Sequence, residues 1–148
     1  MLLIDELIPA VPKEELIGKE EDQIVLTWEQ RRWGRCRLTS AKGRDVALAL
    51  PTGATLAPGA ILRVEPEWYL VIEAAAEPLL AVSPPDYGSA LRTAFEVGNR
   101  HFPLAVEQKT LLVPDDPAMV QLLERLHVPW ERRQAVFNPI GTSHRHEH

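Results

Sequence analysis

The first half of the chain is a series of short apolar segments, each stopped by glycine or proline before it can grow. That punctuation constrains the fold more than any other feature. Proline has no N–H for a helix or a ladder, and glycine favours turns. Segments this short are better fitted to strands than to helices, which need about 10–12 residues to declare themselves. Residues 24–28 form one apolar run, and residues 35–39 alternate polar and apolar in the period-two pattern of a half-buried strand. Lys42-Gly43-Arg44 is a turn, after which residues 45–50 form a third strand that Pro51-Thr52-Gly53 breaks. Residues 60–64 and 69–74 add two more on either side of Glu65-Pro66-Glu67-Trp68. A small β-sandwich or barrel follows from that spacing.

The pattern changes near Glu77-Pro78. Residues 79–82 are an apolar strand, halted by Ser83-Pro84-Pro85, and a helix is expected up to Gly98. Its expected core face is Leu91, Ala94, Phe95 and Gly98, one stripe at helical spacing. Residues 104–107 and 110–113 read as a hairpin around Gln108-Lys109. Asp115-Asp116 and Pro117 then open a second helix carrying Met119, Leu122, Leu123 and Leu126. Residues 134–137 supply a last strand. The order strand, helix, strand, strand, helix, strand is the ferredoxin-like βαββαβ signature. The expected class is therefore α+β: a β-rich domain over residues 1–76, a ferredoxin-like domain over 77–141, and a flexible tail over 142–148.

The tail carries the first hint of chemistry. His144, His146 and His148 alternate after a Gly-Thr-Ser lead-in, an arrangement that serves no core and suits metal gathering. Purification tags are uninterrupted runs, whereas Arg145 and Glu147 interrupt this one. His101, in Gly98-Asn99-Arg100-His101-Phe102-Pro103-Leu104, is a further candidate ligand. One imidazole makes a poor site, but a twofold axis beside it would double it. The plainer alternative is that Asn99 and Arg100 cap the helix and His101 packs at a strand entry. Asp115 and Asp116 are candidate ligands or hydrolytic carboxylates, although helix capping accounts for them as well. His127 suits a helix C-terminus, and Cys36 shares a face with Leu38, which favours an inert, buried thiol. The run from Glu29 to Arg37 is locally basic and fits either a protein partner or a solvated strand edge.

Composition narrows the classes. A formal net charge of −5 argues against nucleic acid as the main partner. A single cysteine excludes an internal disulfide framework and fits a reducing compartment. Acidic residues follow the short apolar start at once, unlike a signal peptide, and no stretch has the length of a membrane span. A cytoplasmic protein with no membrane partner is expected. No P-loop, G-x-G-x-x-G, H-E-x-x-H, G-x-S-x-G or paired C-x-x-C motif is present, so no common catalytic constellation points to an enzyme.

Four segments then carry a family resemblance. Glu29-Gln30-Arg31-Arg32-Trp33-Gly34-Arg35 resembles the E-Q-R-x-x-G-R segment of the UreE urease accessory proteins. Gly98-Asn99-Arg100-His101-Phe102-Pro103-Leu104 resembles their G-N-R-H-x-P-L signature. Ala74-Ala75-Ala76-Glu77 resembles their interdomain junction, and Phe137-Asn138-Pro139-Ile140-Gly141 stands where they have F-x-P-E-x-G before a histidine-rich tail. The resemblance implies a nickel metallochaperone delivering Ni²⁺ as cargo to apo-urease, alongside the other accessory proteins including the accessory GTPase. Zn²⁺ or Cu²⁺ would compete, since imidazole does not select nickel. It also implies a peptide-binding type of β domain, a ferredoxin-like domain, and a homodimer whose paired His101 side chains hold the metal. His144, His146 or His148 would complete the shell. The chain departs from the family at Pro114-Asp115-Asp116-Pro117, where some members have extra histidines, and at Ile140, where the family has glutamate. Two rival classes stand beside this: a protein-binding adaptor with incidental histidines, and a small hydrolase using His101, His127 and Asp115 or Asp116.

Overall fold

In the computed structural model, which describes residues 1–141, the punctuated first half forms two three-stranded sheets. The chain divides into two units after Ala75. In the first unit, β1 (Leu2–Ile4), β4 (Asp45–Ala49) and β3 (Arg35–Thr39) make one sheet in the order β1-β4-β3. The other contains β2 (Glu20–Leu26), β6 (Trp68–Ala74) and β5 (Ile61–Val64) in the order β2-β6-β5. Each sheet pairs one strand in parallel, β1 with β4 and β2 with β6, and one in antiparallel. Alternation along β2 buries Asp22, Ile24 and Leu26 while Glu21 and Val25 face out. The inward side chains of both sheets meet in one core that includes Ile4, Ile24, Leu26, Val46, Leu48, Leu62, Leu70 and Ile72. A one-turn helix, α1 (Gln30–Trp33), leads into β3.

The sheets are tied together at the β3–β4 turn. Asp22, on β2, is fully buried, yet its carboxylate is fully engaged. It accepts from the Ser40 hydroxyl at 2.6 Å, from Arg44 Nη1 at 2.6 Å, and from the Lys42 and Gln23 amides at 2.9 and 2.8 Å. The Arg44 guanidinium also lies 3.9 Å from the centre of the Trp68 ring on β6. Burial alone would raise the Asp22 pKa. The Ser40, Arg44, Lys42 and Gln23 donors outweigh it and hold the carboxyl below the ordinary aspartate range.

The second unit has the strand, helix, strand, strand, helix, strand order expected of it. Its elements are β7 (Ala76–Val82), α2 (Tyr87–Asn99), β8 (Ala105–Glu107), β9 (Thr110–Pro114), α3 (Pro117–Leu126) and β10 (Trp130–Val136). The sheet order β10-β7-β9-β8, antiparallel throughout, is the ferredoxin-like arrangement. Asp86 opens α2 by accepting the Ser89 N–H at 2.7 Å, and Asp116 opens α3 by accepting from Ala118 N at 2.8 Å. Met119, Leu122 and Leu123 of α3 pack with Leu80, Val82 and Val113 of the sheet. No described helix is long and apolar enough to cross a membrane.

Several expected details differ. β1 is missing from the sequence reading, because a three-residue strand is specified by its pairing with β4 and not by its own pattern. β2 and β10 begin earlier than expected, through polar residues that the ladder recruits. The larger correction concerns α2. Its buried residues are Thr93 and Val97, whereas Leu91 is 54% exposed and Phe95 67% exposed. Gly98 is exposed and Ala94 only half-buried, so the expected core stripe faces away from the sheet. The helix carries apolar residues on two faces, and periodicity alone does not say which one the sheet takes.

The Asp22 contacts make a stability prediction. Asp22→Ala is expected to lower the unfolding free energy by about 3 kcal/mol, because it strands buried donors. With the folded pKa depressed, the wild-type advantage is full above the unfolded aspartate value and is lost as pH falls through the folded one. Urea unfolding of both proteins across the acid range reads this. A difference that stays constant into strong acid would show that the carboxylate charge does not hold the turn.

Candidate metal centre

His101 owes its position to the way α2 stops. The His101 N–H donates to the Gly98 carbonyl at 2.9 Å, and the Phe102 N–H reaches back to the Val97 carbonyl at 3.2 Å. These two bonds satisfy carbonyls that the helix end would leave open, and they turn the chain through a left-handed residue. Here that residue is His101, at φ 62°. Phe102 and Leu104 then turn inward against the core of the second unit, while the His101 side chain is exposed. Arg100 Nη1 reinforces the terminus with bonds to the Glu96 carboxylate at 2.7 Å and the Glu96 carbonyl at 3.2 Å. Arg100 therefore caps the helix, as the plainer reading expected, but His101 does not pack.

Glycine is the ordinary residue at such a position and asparagine is tolerated there, whereas most other side chains bear a steric cost. α3 ends in the same way. His127 adopts φ 57°, its N–H donates to the Glu124 carbonyl at 3.2 Å, and the Val128 N–H donates to Leu123 at 3.3 Å. His127 is exposed at that C-terminus, in keeping with its structural reading.

Two further features converge on the His101 turn. The first is the outward stripe of α2: Tyr87, 79% exposed, then Leu91 and Phe95, ending at Gly98, whose carbonyl holds the His101 N–H. The second is the end of the described chain. The Ile140 N–H donates to the Leu104 carbonyl at 2.8 Å, which anchors the chain beside the segment that carries His101. Neither was read from sequence. The spacing of the stripe equally fits a core face, and the Ile140 bond leaves no trace in residue type.

The other candidates do different work. Asp115 pairs with Arg132 at 3.1 Å, and Asp116 caps α3. Cys36 is half-buried against the first core, and burial raises its thiol pKa, which keeps it protonated. Among the described residues no three His, Cys, Asp or Glu side chains gather closely enough to hold a metal ion. His144, His146 and His148 lie outside the described residues.

Comparison with known proteins covers nearly the whole chain. The model of the UreE urease accessory protein N-terminal domain matches residues 4–75, and that of the UreE urease accessory protein C-terminal domain matches residues 77–148. The urease accessory protein UreE of Ralstonia nicotianae is 33% identical over 153 residues, spanning 100% of this chain and 72% of that protein. Its counterpart from Burkholderia mallei strain SAVP1 is 36% identical, spanning 100% of this chain and 75% of that protein. The one from Cupriavidus pinatubonensis is 32% identical, with 100% and 69% spanned.

If the left-handed backbone at His101 is a cost the fold bears, relieving it should stabilise the metal-free protein. His101→Gly is expected to raise its unfolding free energy by about 0.5–1 kcal/mol. Denaturant unfolding in the presence of chelator measures this. A destabilised variant would mean that the imidazole itself makes contacts that hold the turn.

Proposed function

The chain belongs to the UreE family of urease accessory proteins, and from that premise we propose that it is a nickel metallochaperone that carries Ni²⁺ to apo-urease. It is an accessory protein of urease maturation and not an enzyme. In this reading it acts in the cytoplasm as a homodimer, with urease and the other accessory proteins, including the accessory GTPase, as partners. The second unit binds metal and dimerises, and the first serves partner recognition.

The observation that carries the reading is the exposed, left-handed His101 at the end of a helix whose outer face is apolar. Covering Leu91 and Phe95 against a second copy would contribute several kcal/mol at roughly 1.5–3 kcal/mol per fully buried large apolar side chain. A twofold axis near that stripe would bring two His101 imidazoles together. Tail histidines would add to the pair, since a fully extended chain from Ile140 to His144 would span on the order of 13 Å. Two fixed imidazoles, tail imidazoles and water make an incomplete shell. That suits a carrier, because cargo locked in a closed tetrahedral site could not be handed on. Zn²⁺ and Cu²⁺ compete for such ligands, so selectivity comes from metal supply and partner docking. The hydrolase alternative loses its carboxylates, since Asp115 and Asp116 are engaged by Arg132 and the α3 N-terminus.

Two experiments test this. Sedimentation of the apo protein at micromolar concentration is expected to show a dimer, and the double variant Leu91→Glu, Phe95→Glu a monomer. A wild type that stays monomeric with and without nickel would remove the paired site. Equilibrium dialysis with Ni²⁺ and urease activity in cells at limiting nickel then rank the ligands. His101→Ala should abolish the interface site and impair urease activation more than loss of residues 143–148, which should lower metal stoichiometry or affinity and leave the dimer intact. An active His101→Ala beside an inactive truncation would reverse that ranking.

A further inference from the structure

The β3 edge of the first unit is open from Arg35 to Thr39, beyond which the Ala41 N–H donates to the Gln23 carbonyl of β2 at 2.8 Å, and the open stretch is lined with unpaired positive charge. The direction of its main chain follows from its register. The Leu50 N–H donates to the Gly34 carbonyl at 2.7 Å, and the Ser40 N–H donates to the Arg44 carbonyl at 2.8 Å. In an antiparallel ladder, alternate residues bond to the same neighbour. Gly34, Cys36, Leu38 and Ser40 therefore face β4, and the N–H and C=O groups of Arg35, Arg37 and Thr39 face the edge. Those same three residues have exposed side chains, while Cys36 and Leu38 pack against the core.

The charge on this edge is of one sign. Arg35 and Arg37 make no ion pair among the described residues. Arg32 stacks on the Trp28 ring at 4.9 Å, and Trp33 beside it is 53% exposed. The other edges of this unit are quenched. On β5, Arg63 pairs with Glu65 and donates to the Leu3 carbonyl of β1, and Glu20 of β2 pairs with Lys42. The β3 edge is also held firm at both ends. The Asp22 contacts fix the turn after it. Gly34 before it takes φ 72°, a left-handed conformation that glycine adopts without strain.

We propose that the β3 edge docks an extended acidic segment of a protein partner by strand addition, with Arg35 and Arg37 flanked by its carboxylates. Charge selects the occupant. A second copy of this edge is repelled, since like charges would lie opposite one another. A negatively charged strand gains main-chain bonds and cross-strand ion pairs together. Nucleic acid would meet a chain of net charge −5 around a small basic strip. The site rests on the partner-recognition role proposed for the first unit, and it lies in the unit that does not contain His101.

The test uses the full-length protein and a fluorescein-labelled peptide alternating glutamate with valine. Saturable binding by anisotropy is expected, with amide protection at Arg35, Arg37 and Thr39 in hydrogen exchange. N-methylating the peptide backbone should abolish binding. The double variant R35E/R37E should weaken it by about tenfold or more, two opposite-charge pairs having become repulsive. That variant should instead bind the matching lysine–valine peptide, a gain that a misfolded protein would not show. His101→Ala should bind the acidic peptide as wild type does, so this result and the nickel reading fail separately. Binding insensitive to N-methylation, no exchange of preference in R35E/R37E, or tighter capture of single-stranded RNA or phosphatidylserine vesicles than of the peptide would each overturn the proposal.

Discussion

How α2 ends decides what the second unit can do. The helix must satisfy its last carbonyls, and it does so with backbone N–H groups from the residues that follow. The bond from Phe102 back to Val97 pulls Phe102 toward the core and forces the intervening His101 into left-handed backbone. With Phe102 directed inward, the adjacent imidazole is directed outward. An asparagine or glycine would make the same turn at lower cost. His127 ends α3 with the same left-handed backbone, so the conformation alone does not single out His101, and what sets His101 apart is the apolar outer face of the helix that leads to it.

The first unit is organised around a different constraint, a buried negative charge. Asp22 would be destabilising in that place without its four donors, and three of them come from the β3–β4 turn. The carboxylate thus shapes the hairpin while the Arg44 stack on Trp68 joins it to the second sheet. A glutamate there would misplace the oxygens, and an apolar residue would leave donors bare. A rigid hairpin is what allows β3 to stand at a sheet edge with its side-chain pattern fixed.

The fold was legible wherever residues act through local chemistry. Proline and glycine breaks marked the strands, and Asp116 with Pro117 marked the start of α3, because capping and φ restriction need no tertiary partner. Legibility failed where a neighbour decides. β1 exists because β4 is there to pair with it. Polar residues such as Glu20 and Asp22 join a strand because β6 lies alongside. The face of α2 failed for a related reason: Leu91 and Phe95 have the spacing of a core stripe, and only the sheet's choice of Thr93 and Val97 reveals it as surface. At the candidate site, the residue type and motif of His101 were readable, but its outward aim depends on bonds made by Phe102 and Gly98.

In the carrier proposed above, the Ile140 bond to Leu104 would have a kinetic meaning as well as a structural one. It would set how many residues separate the anchored chain beside the His101 turn from the histidines that follow in the sequence. Over so short a stretch, each imidazole that served as a ligand would be offered to the His101 turn at an effective concentration in the ~mM range. Ligands offered in that way would exchange quickly, because one could leave while another was already at hand. In that carrier, the anchor at Ile140 would set how quickly a bound ion changes hands.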